Sequence, residues 1–583
     1  MWIQSANPLD SIALSAVEAV IPILLLFYLL AVRRQKGHVA AMITLTVAVT
    51  VAVIAFRMPI HLALLSAGFG AINGLFPIGW IVLAAVFLYN LSVESGGFKV
   101  VKDVIGSITE DRRIQALLIA FCFGAFLEGA AGFGAPVAIT AGMLVGLGFD
   151  AFYAASLCLI SNTAPVAFGG IGVAVITAGK VSGIDPNVIS TMIAHQLPFL
   201  AFLVPFWLVA IMSGWKGIKE ILPAILVTST SYSLTLYFVA TRLGPMLPDI
   251  LSSMVSIICL ILLLKVWQPA TIWRFPHERH ISISRSHHSF GELVRAWTPF
   301  VLLITFVGEW GVSGIKIWLD KLTHVFAIHG LNKMIEVNGA PMAVTYSFGW
   351  LSAAGTAIIL AALISAIMNR TKLKTLGKVF LDTLVELRFP LLTIACVLGF
   401  AYLANYSGMA AALGAALTAT GVFFPFLSPF LGWTGVFLTG SDTSSNALFA
   451  NAQRVTAQHL GINPVLTVAA NSTGGVAAKM ISPQSIAVAT ASVKLTGQEG
   501  MLFRFTLKHS LAFVVIIGII TFLQAHWLKG MVPAWSAGVV TAAKAMATGK
   551  LEAVIVATAI GIILLALLGR QTTRRSLQTS ASA

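Results

Sequence analysis

Three ionisable side chains lie in stretches of the sequence that are otherwise apolar or rich in small residues: Glu128, Asp442 and Lys479. An ionised group in such surroundings is costly, so proteins retain it where it binds an ion, a substrate or a proton. We therefore expect the Glu128 and Asp442 carboxylates to take part in proton coupling and the Lys479 ammonium to attract an anion. The plainer explanation is that these groups reach water at a loop or at the membrane interface.

Short polar side chains accompany the three charges. Their hydroxyl and amide groups can both donate to and accept from a small polar ligand. The candidates for substrate binding, together with Lys479, are Asn162, Thr163, Ser441, Thr443, Ser444, Asn446, Asn471, Ser472, Thr473 and Gln484. Hydrogen bonding between helices is the alternative, since Asn and Thr commonly play that part in membranes.

Glycine and proline residues interrupt the helical pattern around these side chains. Glycine frees the backbone and proline removes a donor, so carbonyl and amide groups become available to a ligand. We predict backbone breaks at Gly129, Gly132, Gly134, Pro165, Gly474, Gly475 and Pro483. Helix N-termini exposed at such breaks would add partial positive charge for a carboxylate.

The composition predicts a membrane protein. The chain has 583 residues, of which 58% are hydrophobic and 10% are charged, whereas soluble domains carry about 25% charged residues. This excludes an ordinary soluble enzyme. The sequence contains no Walker loop, dinucleotide fingerprint or zinc-protease motif, and its four cysteines lie in or beside apolar runs. We therefore predict no enzyme activity, no cofactor and no metal site.

Apolar runs long enough to cross a bilayer, about 20 residues each, occur thirteen times. They are 11–32, 38–56, 76–94, 151–179, 190–213, 221–241, 247–267, 296–313, 343–369, 385–404, 464–492, 504–525 and 551–569. Two further apolar stretches, 114–147 and 425–455, are interrupted by glycine and polar residues, which predicts re-entrant hairpins. The predicted fold class is an all-α polytopic membrane protein with a broken helix, 151–179 or 464–492, after each hairpin.

The basic residues predict the orientation of these spans. With the N-terminus outside, 25 of the 36 Lys and Arg residues fall on the inner side and nine on the outer side. Inner loops collect Lys and Arg, so the C-terminus is predicted to be cytoplasmic. The net charge of +15 then reflects orientation in a lipid bilayer and does not indicate a nucleic-acid partner.

The two halves of the chain share weak internal repeats. Phe76-Pro77 recurs as Phe389-Pro390, and Asn162-Thr163 recurs as Asn471-Ser472, at offsets of 313 and 309. Seven crossings separate matched elements, so the halves are predicted to be inverted relative to each other, as in many secondary transporters. The predicted domains are two repeats (1–246 and 296–569), a linking span with a basic cytoplasmic loop (247–295) and a cytoplasmic tail (570–583).

The longest motifs resemble those of the bacterial L-lactate permease family. They run from Ser107 to Pro136, from Thr439 to Phe449, from Asn471 to Gly475 and from Lys479 to Ser485. The resemblance covers nearly the whole chain. It implies proton-coupled symport of L-lactate across the bacterial inner membrane, with glycolate and other short 2-hydroxy acids as further substrates, and hence a periplasmic N-terminus.

Two other classes of function stay open at this stage. A sodium-coupled carboxylate carrier or a cation/proton antiporter could use the same broken helices, because free carbonyls and Asp442 suit sodium as well as a hydroxyl. A membrane-embedded enzyme or a receptor would bind a ligand without flux. The sequence also leaves the oligomeric state open, a homodimer included.

Overall fold

A computed structural model describes residues 1–33, 35–132, 135–275, 288–310, 312–337 and 339–535. The helices of the first half are α1 (Ile12–Phe27), α2 (Gly37–Ile54), α3 (Ile60–Asn73), α4 (Trp80–Glu94), α5 (Gly97–Gly106), α6 (Arg112–Gln115), α7 (Gly124–Ala130), α8 (Ala135–Gly146), α9 (Ala151–Ser161), α10 (Gly169–Ser182), α11 (Pro186–Ala194), α12 (Leu197–Glu220), α13 (Leu222–Arg242) and α14 (Pro248–Val266). Those of the second half are α15 (Phe290–Trp310), α16 (Ser313–Asp320), α17 (Ala354–Met368), α18 (Leu373–Ser407), α19 (Met409–Leu417), α20 (Phe424–Thr439), α21 (Asp442–His459), α22 (Pro464–Lys479), α23 (Pro483–Ser492) and α24 (Glu499–His526).

Short irregular turns join several of these helices. Three are π-helical, Tyr28–Val32, Gly74–Gly79 and Ala116–Phe123, and three are 3₁₀ turns, Val166–Phe168, Thr418–Phe423 and Lys529–Met531. The turn Ala116–Phe123 joins α6 to α7 as one apolar arm, Arg112–Ala130, and its apolar window is entirely buried inside the protein. This arm therefore lies at the centre of the helix assembly.

The helices confirm an all-α polytopic membrane protein. In the described part of the chain, eleven helices are long and apolar enough to cross a membrane, or up to twelve if the bent pair at Ala151–Ser182 counts as one span. Two of the eleven, Arg112–Ala130 and Met409–Thr439, contain arms of the predicted hairpins. The predicted span 551–569 lies outside the described residues, so a total of thirteen stays a prediction.

Five short strands lie at the ends of the helices. They are β1 (Trp2–Ile3), β2 (His324–Ala327), β3 (Ile335–Val337), β4 (Ala340–Pro341) and β5 (Thr345–Phe348). β1 pairs in parallel with β3, β3 pairs antiparallel with β4, and β2 pairs antiparallel with β5. The N-terminus and the long loop before α17 are thus on the same side of the molecule, as the charge distribution predicts.

The matched repeat elements pack directly against each other. Residues 60–94, which include α3 and α4, match α18 in length, 35 residues each. A Cβ built at Gly74 would lie 3.0 Å from the Ile394 carbonyl oxygen, and one at Gly79 would lie 2.9 Å from Leu391 Cδ2. Residue numbers rise on one helix as they fall on the other, so the two run antiparallel, which is the arrangement that an inverted repeat produces.

Contacts bring together the two ends of the first predicted hairpin and link both ends of the second to residues at and after the end of α24; whether the hairpins are re-entrant stays a prediction. At the base of the first, Arg112 lies 5.9 Å from the ring centroid of Phe149. At the base of the second, His526 lies 3.2 Å from the Val422 carbonyl oxygen, and Asn463 donates to the Pro533 carbonyl at 2.8 Å. The depth of the two tips within a bilayer stays a prediction.

Three predicted backbone breaks are wrong. Gly129 is inside α7, and Gly474 and Gly475 are inside the continuous helix α22. These glycines serve close packing instead: a Cβ at Gly474 would collide with the Pro429 carbonyl, and one at Gly129 would lie 2.8 Å from Asp249 Cβ. Composition alone does not separate a glycine that breaks a helix from one that admits a neighbour.

Two span boundaries also differ from the sequence predictions. The span predicted at 76–94 is preceded by α3, which is an apolar helix. Its glycines and Asn73 led to the prediction of a loop there. The span predicted at 343–369 contains β5 and then the shorter helix α17. Gly134 lies outside the described residues.

Candidate functional site

Glu128 is buried near the tip of the first hairpin. Its side chain is 4% exposed, and α7 ends two residues later, before Gly132 turns the chain at φ +61°. A Cβ at Gly169 would lie 2.8 Å from Glu128 Oε1, so glycine at 169 is what admits the carboxylate beside the first broken helix. Glu128 Oε2 has no hydrogen-bond partner among the described residues.

The first broken helix turns directly beside this carboxylate. α9 ends at Ser161, and Pro165 precedes a short 3₁₀ turn, so the two helical parts are bent by 65°. Asn162 lies next to Glu128. Both amide atoms of Asn162 and the Thr163 hydroxyl are buried, and within the described chain they have no hydrogen-bond partner.

Asp442 begins the second helix of the second hairpin. α20 ends at Thr439 and is followed by Gly440, whose φ of +71° reverses the chain, and Ser441 caps α21 by accepting from the Ser444 amide at 3.2 Å. Asp442 is 4% exposed, and its Oδ1 atom has no partner in the part of the chain that the structure describes. The tip therefore presents a buried carboxylate at a helix N-terminus.

Lys479 is at the break of the second broken helix. α22 ends at this residue, and α23 begins at Pro483 with Ser482 as its cap. Lys479 is 7% exposed and is the only buried lysine among the described residues. Its Nζ donates to the Gly440 carbonyl at 2.6 Å and interacts electrostatically with Glu128 and Asp442. One ammonium thus contacts the tip of the second hairpin and interacts electrostatically with the carboxylate of the first.

Two hairpins and two broken helices form the candidate site, and Asn446 joins three of these four segments. Its Nδ2 atom donates to Ser472 Oγ at 2.7 Å and to the Ala174 carbonyl at 3.0 Å, and approaches Asp442 Oδ2 at 3.5 Å. Its Oδ1 atom accepts from Asn471 Nδ2 at 2.8 Å. The second hairpin is therefore bonded to both broken helices.

Glycines allow the second hairpin to pack tightly on α22. A Cβ at Gly432 would collide with the Asn471 carbonyl, and one at Gly475 would collide with Asp442 Oδ1. Small residues bring membrane helices into close contact, which lets the few polar side chains between them meet. Gly475, predicted as a break, thus helps to position Asp442.

Several predicted binding residues lie away from the centre of the site. Thr473 donates to Gln196 Oε1 at 2.8 Å, and Gln196 donates to Gln524 at 3.0 Å, a separate buried network. Thr443 is half-buried, and Gln484 is exposed beside Gly440. Ser441 and Ser444 form the helix cap. The central candidates are therefore Glu128, Asn162, Thr163, Asp442, Asn446, Asn471, Ser472 and Lys479.

Sequence reasoning missed two polar groups near Glu128. Asp249, in the first turn of α14, is 1% exposed and interacts electrostatically with Glu128. Tyr232 Oη lies 3.5 Å from Asp249 Oδ1. Asp249 lies inside the predicted span 247–267, so an ionisable group within a predicted span was the available signal.

The donor set suits a small anion and a proton better than a tightly held transition metal. No group of three or more His, Cys, Asp or Glu residues in the described ranges could hold a metal ion. One ammonium and several amide and hydroxyl groups can instead bind one carboxylate and one hydroxyl. The buried carboxylates are groups that can carry a proton.

Comparison with known proteins gives one consistent similarity. A family profile described as L-lactate permease matches residues 15–528. The glycolate permease of Escherichia coli (strain K12) is 50% identical over 559 residues, covering 91% of this chain and 99% of that protein. The L-lactate permeases of Salmonella typhimurium and Bacillus subtilis (strain 168) are each 48% identical, covering 91% of this chain and 100% of those proteins. A crystal structure of the YdaH transporter of Alcanivorax borkumensis covers 80% of this chain and 88% of that chain, with a TM-score of 0.44 and 15% identity.

Proposed function

The chain belongs to the L-lactate permease family, and from that premise we propose that it carries L-lactate and glycolate into the cell together with protons. It is a multi-pass membrane transporter and not an enzyme. The proposed location is the bacterial inner membrane, with the N-terminus in the periplasm. The distribution of basic residues supports that orientation.

The observation that carries the proposal is the position of Lys479. Its ammonium is 7% exposed, lies at a helix break and interacts electrostatically with a carboxylate from each hairpin. A buried ammonium next to free amide and hydroxyl groups is suited to a carboxylate that also bears a hydroxyl. Asn162 and Thr163 have buried donors and acceptors that lack a hydrogen-bond partner in the described part of the chain, as such a hydroxyl needs.

Charge balance favours coupling to protons. With Glu128 and Asp442 ionised and Lys479 protonated, the three groups carry one net negative charge. An anion that entered alone would add a further buried charge, which costs several kcal/mol. One proton bound by a carboxylate for each anion leaves the buried charge unchanged, so anion and proton are expected to load together.

The repeats supply a means of alternating access. The two hairpins and two broken helices form the site, and motion of one half against the other would expose it to each side in turn. The antiparallel packing of α18 against residues 60–94 supports an inverted repeat, although their glycine contacts also restrict how far these helices can slide.

Uptake into proteoliposomes tests the proposal. Purified protein is reconstituted into proteoliposomes that are more acidic outside than inside, without sodium. It should concentrate labelled L-lactate and glycolate above the outside level, and a protonophore should abolish the accumulation. Uptake should fall as external pH rises, because fewer carboxylates then hold a proton. Accumulation that requires a sodium gradient would indicate the sodium-coupled alternative, and binding without flux would indicate a receptor or an enzyme.

A further inference from the structure

Asp249 is a third buried carboxylate, and it lies outside the two hairpins and the two broken helices. It is in the first turn of α14, the helix that links the repeats, and is 1% exposed. Its Cβ is packed against Gly129, where an added Cβ would lie 2.8 Å away. Asp249 therefore lies beside the residue that follows Glu128 in the chain.

Glu128 and Asp249 each have a buried carboxylate oxygen that lacks a hydrogen bond in the described part of the chain. Glu128 Oε2 and Asp249 Oδ2 are buried, and neither has a hydrogen-bond partner among the described residues. A buried carboxylate oxygen without a partner is costly. A proton or a bound ligand on one of these oxygens would supply the missing partner.

The charged and titratable neighbours of the pair are few. Tyr232 on α13 lies 3.5 Å from Asp249 Oδ1, and Cys122 in the turn before α7 donates to Ser256 Oγ at 3.3 Å and interacts electrostatically with Tyr232. Lys479 on α22 interacts with Glu128. Within the described ranges, the influences on Asp249 are Glu128 and Tyr232, with no cation among them. Among the described residues the pair is influenced by Lys479 through Glu128 alone, and two neighbouring carboxylates in a buried site do not both ionise readily.

We propose that Asp249 and Glu128 act as a pair that binds one proton during transport. This inference rests on the proposed proton symport and adds a residue to it. When the substrate anion binds, a proton leaves a water molecule or hydronium ion and bonds to Glu128 Oε2 or Asp249 Oδ2. When the anion is released on the other side, that O–H bond breaks and the proton returns to water.

The helix that carries Tyr232 also carries further buried hydroxyl groups. Thr228, Ser229 and Ser233 surround Tyr232 on α13, and their buried hydroxyls have no hydrogen-bond partner in the described part of the chain. A hydroxyl both donates and accepts, so it can pass a proton to a neighbour or to an enclosed water molecule. These groups lie along α13.

Substitution of Asp249 by asparagine, Asp249→Asn, tests the pair. The amide keeps the size of the side chain and an acceptor for Tyr232 but cannot carry the proton. We expect exchange of labelled for unlabelled L-lactate to continue, since exchange needs no net proton movement. Accumulation of L-lactate driven by an acidic outside solution should be lost. The matched control, Asp382→Asn, alters an exposed aspartate on α18 and should accumulate substrate like the wild type.

Two comparisons separate the possible failures. If the wild type itself fails to accumulate L-lactate in the pH gradient, the proposed symport is wrong. If the wild type accumulates it and Asp249→Asn does so equally, with the same pH profile, the role of Asp249 is overturned. The double variant Asp249→Asn with Glu128→Gln should lose no more coupling than either single variant, because the pair holds one proton; additive losses would contradict sharing.

A second variant covers the case in which Asp249→Asn does not fold. Asp249→Glu keeps the carboxylate but moves it relative to Glu128, so coupling should persist with a shifted midpoint in the pH dependence of uptake. An unchanged midpoint would overturn the proposal.

Discussion

The Asn446 Nδ2 atom donates a hydrogen bond to the Ala174 carbonyl oxygen at 3.0 Å, although the two residues are 272 positions apart in the sequence. Asn446 is in the second hairpin and Ala174 is in the first broken helix. Because the same amide group also donates to Ser472, one side chain holds together parts of both halves. The two halves therefore share one site.

We expect Asn446→Ala to weaken both the fold and transport. The change leaves the buried Ala174 carbonyl, Ser472 and Asn471 short of a partner, and one unsatisfied buried group costs about 1–3 kcal/mol. The midpoint of thermal unfolding in detergent should fall, and uptake of L-lactate should fall with it. Asn369→Ala, at the half-buried C-terminus of α17, is the control. If the two variants have the same unfolding midpoint and the same uptake, the hydrogen bonds of Asn446 do not stabilise the site.

Lys479→Gln should reduce substrate affinity more than stability. Glutamine can still donate to the Gly440 carbonyl but has no charge for a carboxylate. A hydrogen bond to a charged group contributes about 1.5–3 kcal/mol, so the KM for L-lactate should rise about 10- to 100-fold. Lys378→Gln, at an exposed position on α18, should leave KM unchanged. A wild-type KM in Lys479→Gln would exclude the ammonium from substrate binding.

Gly475→Ala should displace Asp442. An added Cβ would collide with Asp442 Oδ1 and lie 2.7 Å from Val436 Cγ2. Overpacking of this kind costs about 1–3 kcal/mol, and the shifted carboxylate should also impair gradient-driven uptake. A Cβ at Gly377 meets nothing within 4 Å, so Gly377→Ala should be neutral or slightly stabilising in its helix. If both variants have wild-type stability and uptake, the packing argument fails.

Arg113→Gln should destabilise the base of the first hairpin. The guanidinium is 0% exposed and pairs with Asp111 at 2.8 Å and with Glu220. Removing it leaves Asp111, itself 1% exposed, without its counter-charge, and loss of one partner of a buried pair costs about 3–5 kcal/mol. Arg274→Gln, which affects the more exposed pair with Glu110, should cost about 1 kcal/mol or less. Unfolding free energies in denaturant would rank the two, and the reverse order would contradict the assignment.

The sequence predicted which segments meet but not how they are packed. Hydropathy and breaks in the apolar pattern placed Glu128, Asp442 and Lys479 in interrupted elements, because charge is conspicuous in an apolar run. Gly474 and Gly475 were predicted as a helix break and lie inside a helix. The residue type alone does not tell a glycine that breaks a helix from one that admits a close neighbour. The sequence placed Asp249 within a predicted span but not beside Gly129, which lies more than a hundred residues earlier in the chain. Such long-range contacts leave no local pattern.

The flow of protons that accompanies L-lactate tests the central claim most directly. Proteoliposomes that contain a pH-sensitive dye are given an inward L-lactate gradient, and internal pH and labelled substrate are recorded together, with protein-free liposomes as the control for passive entry of the acid. Electroneutral symport predicts one proton per L-lactate, no effect of membrane potential, and loss of lactate-driven acidification in Glu128→Gln. Protein-dependent L-lactate entry without acidification, or entry that requires sodium, would contradict the account.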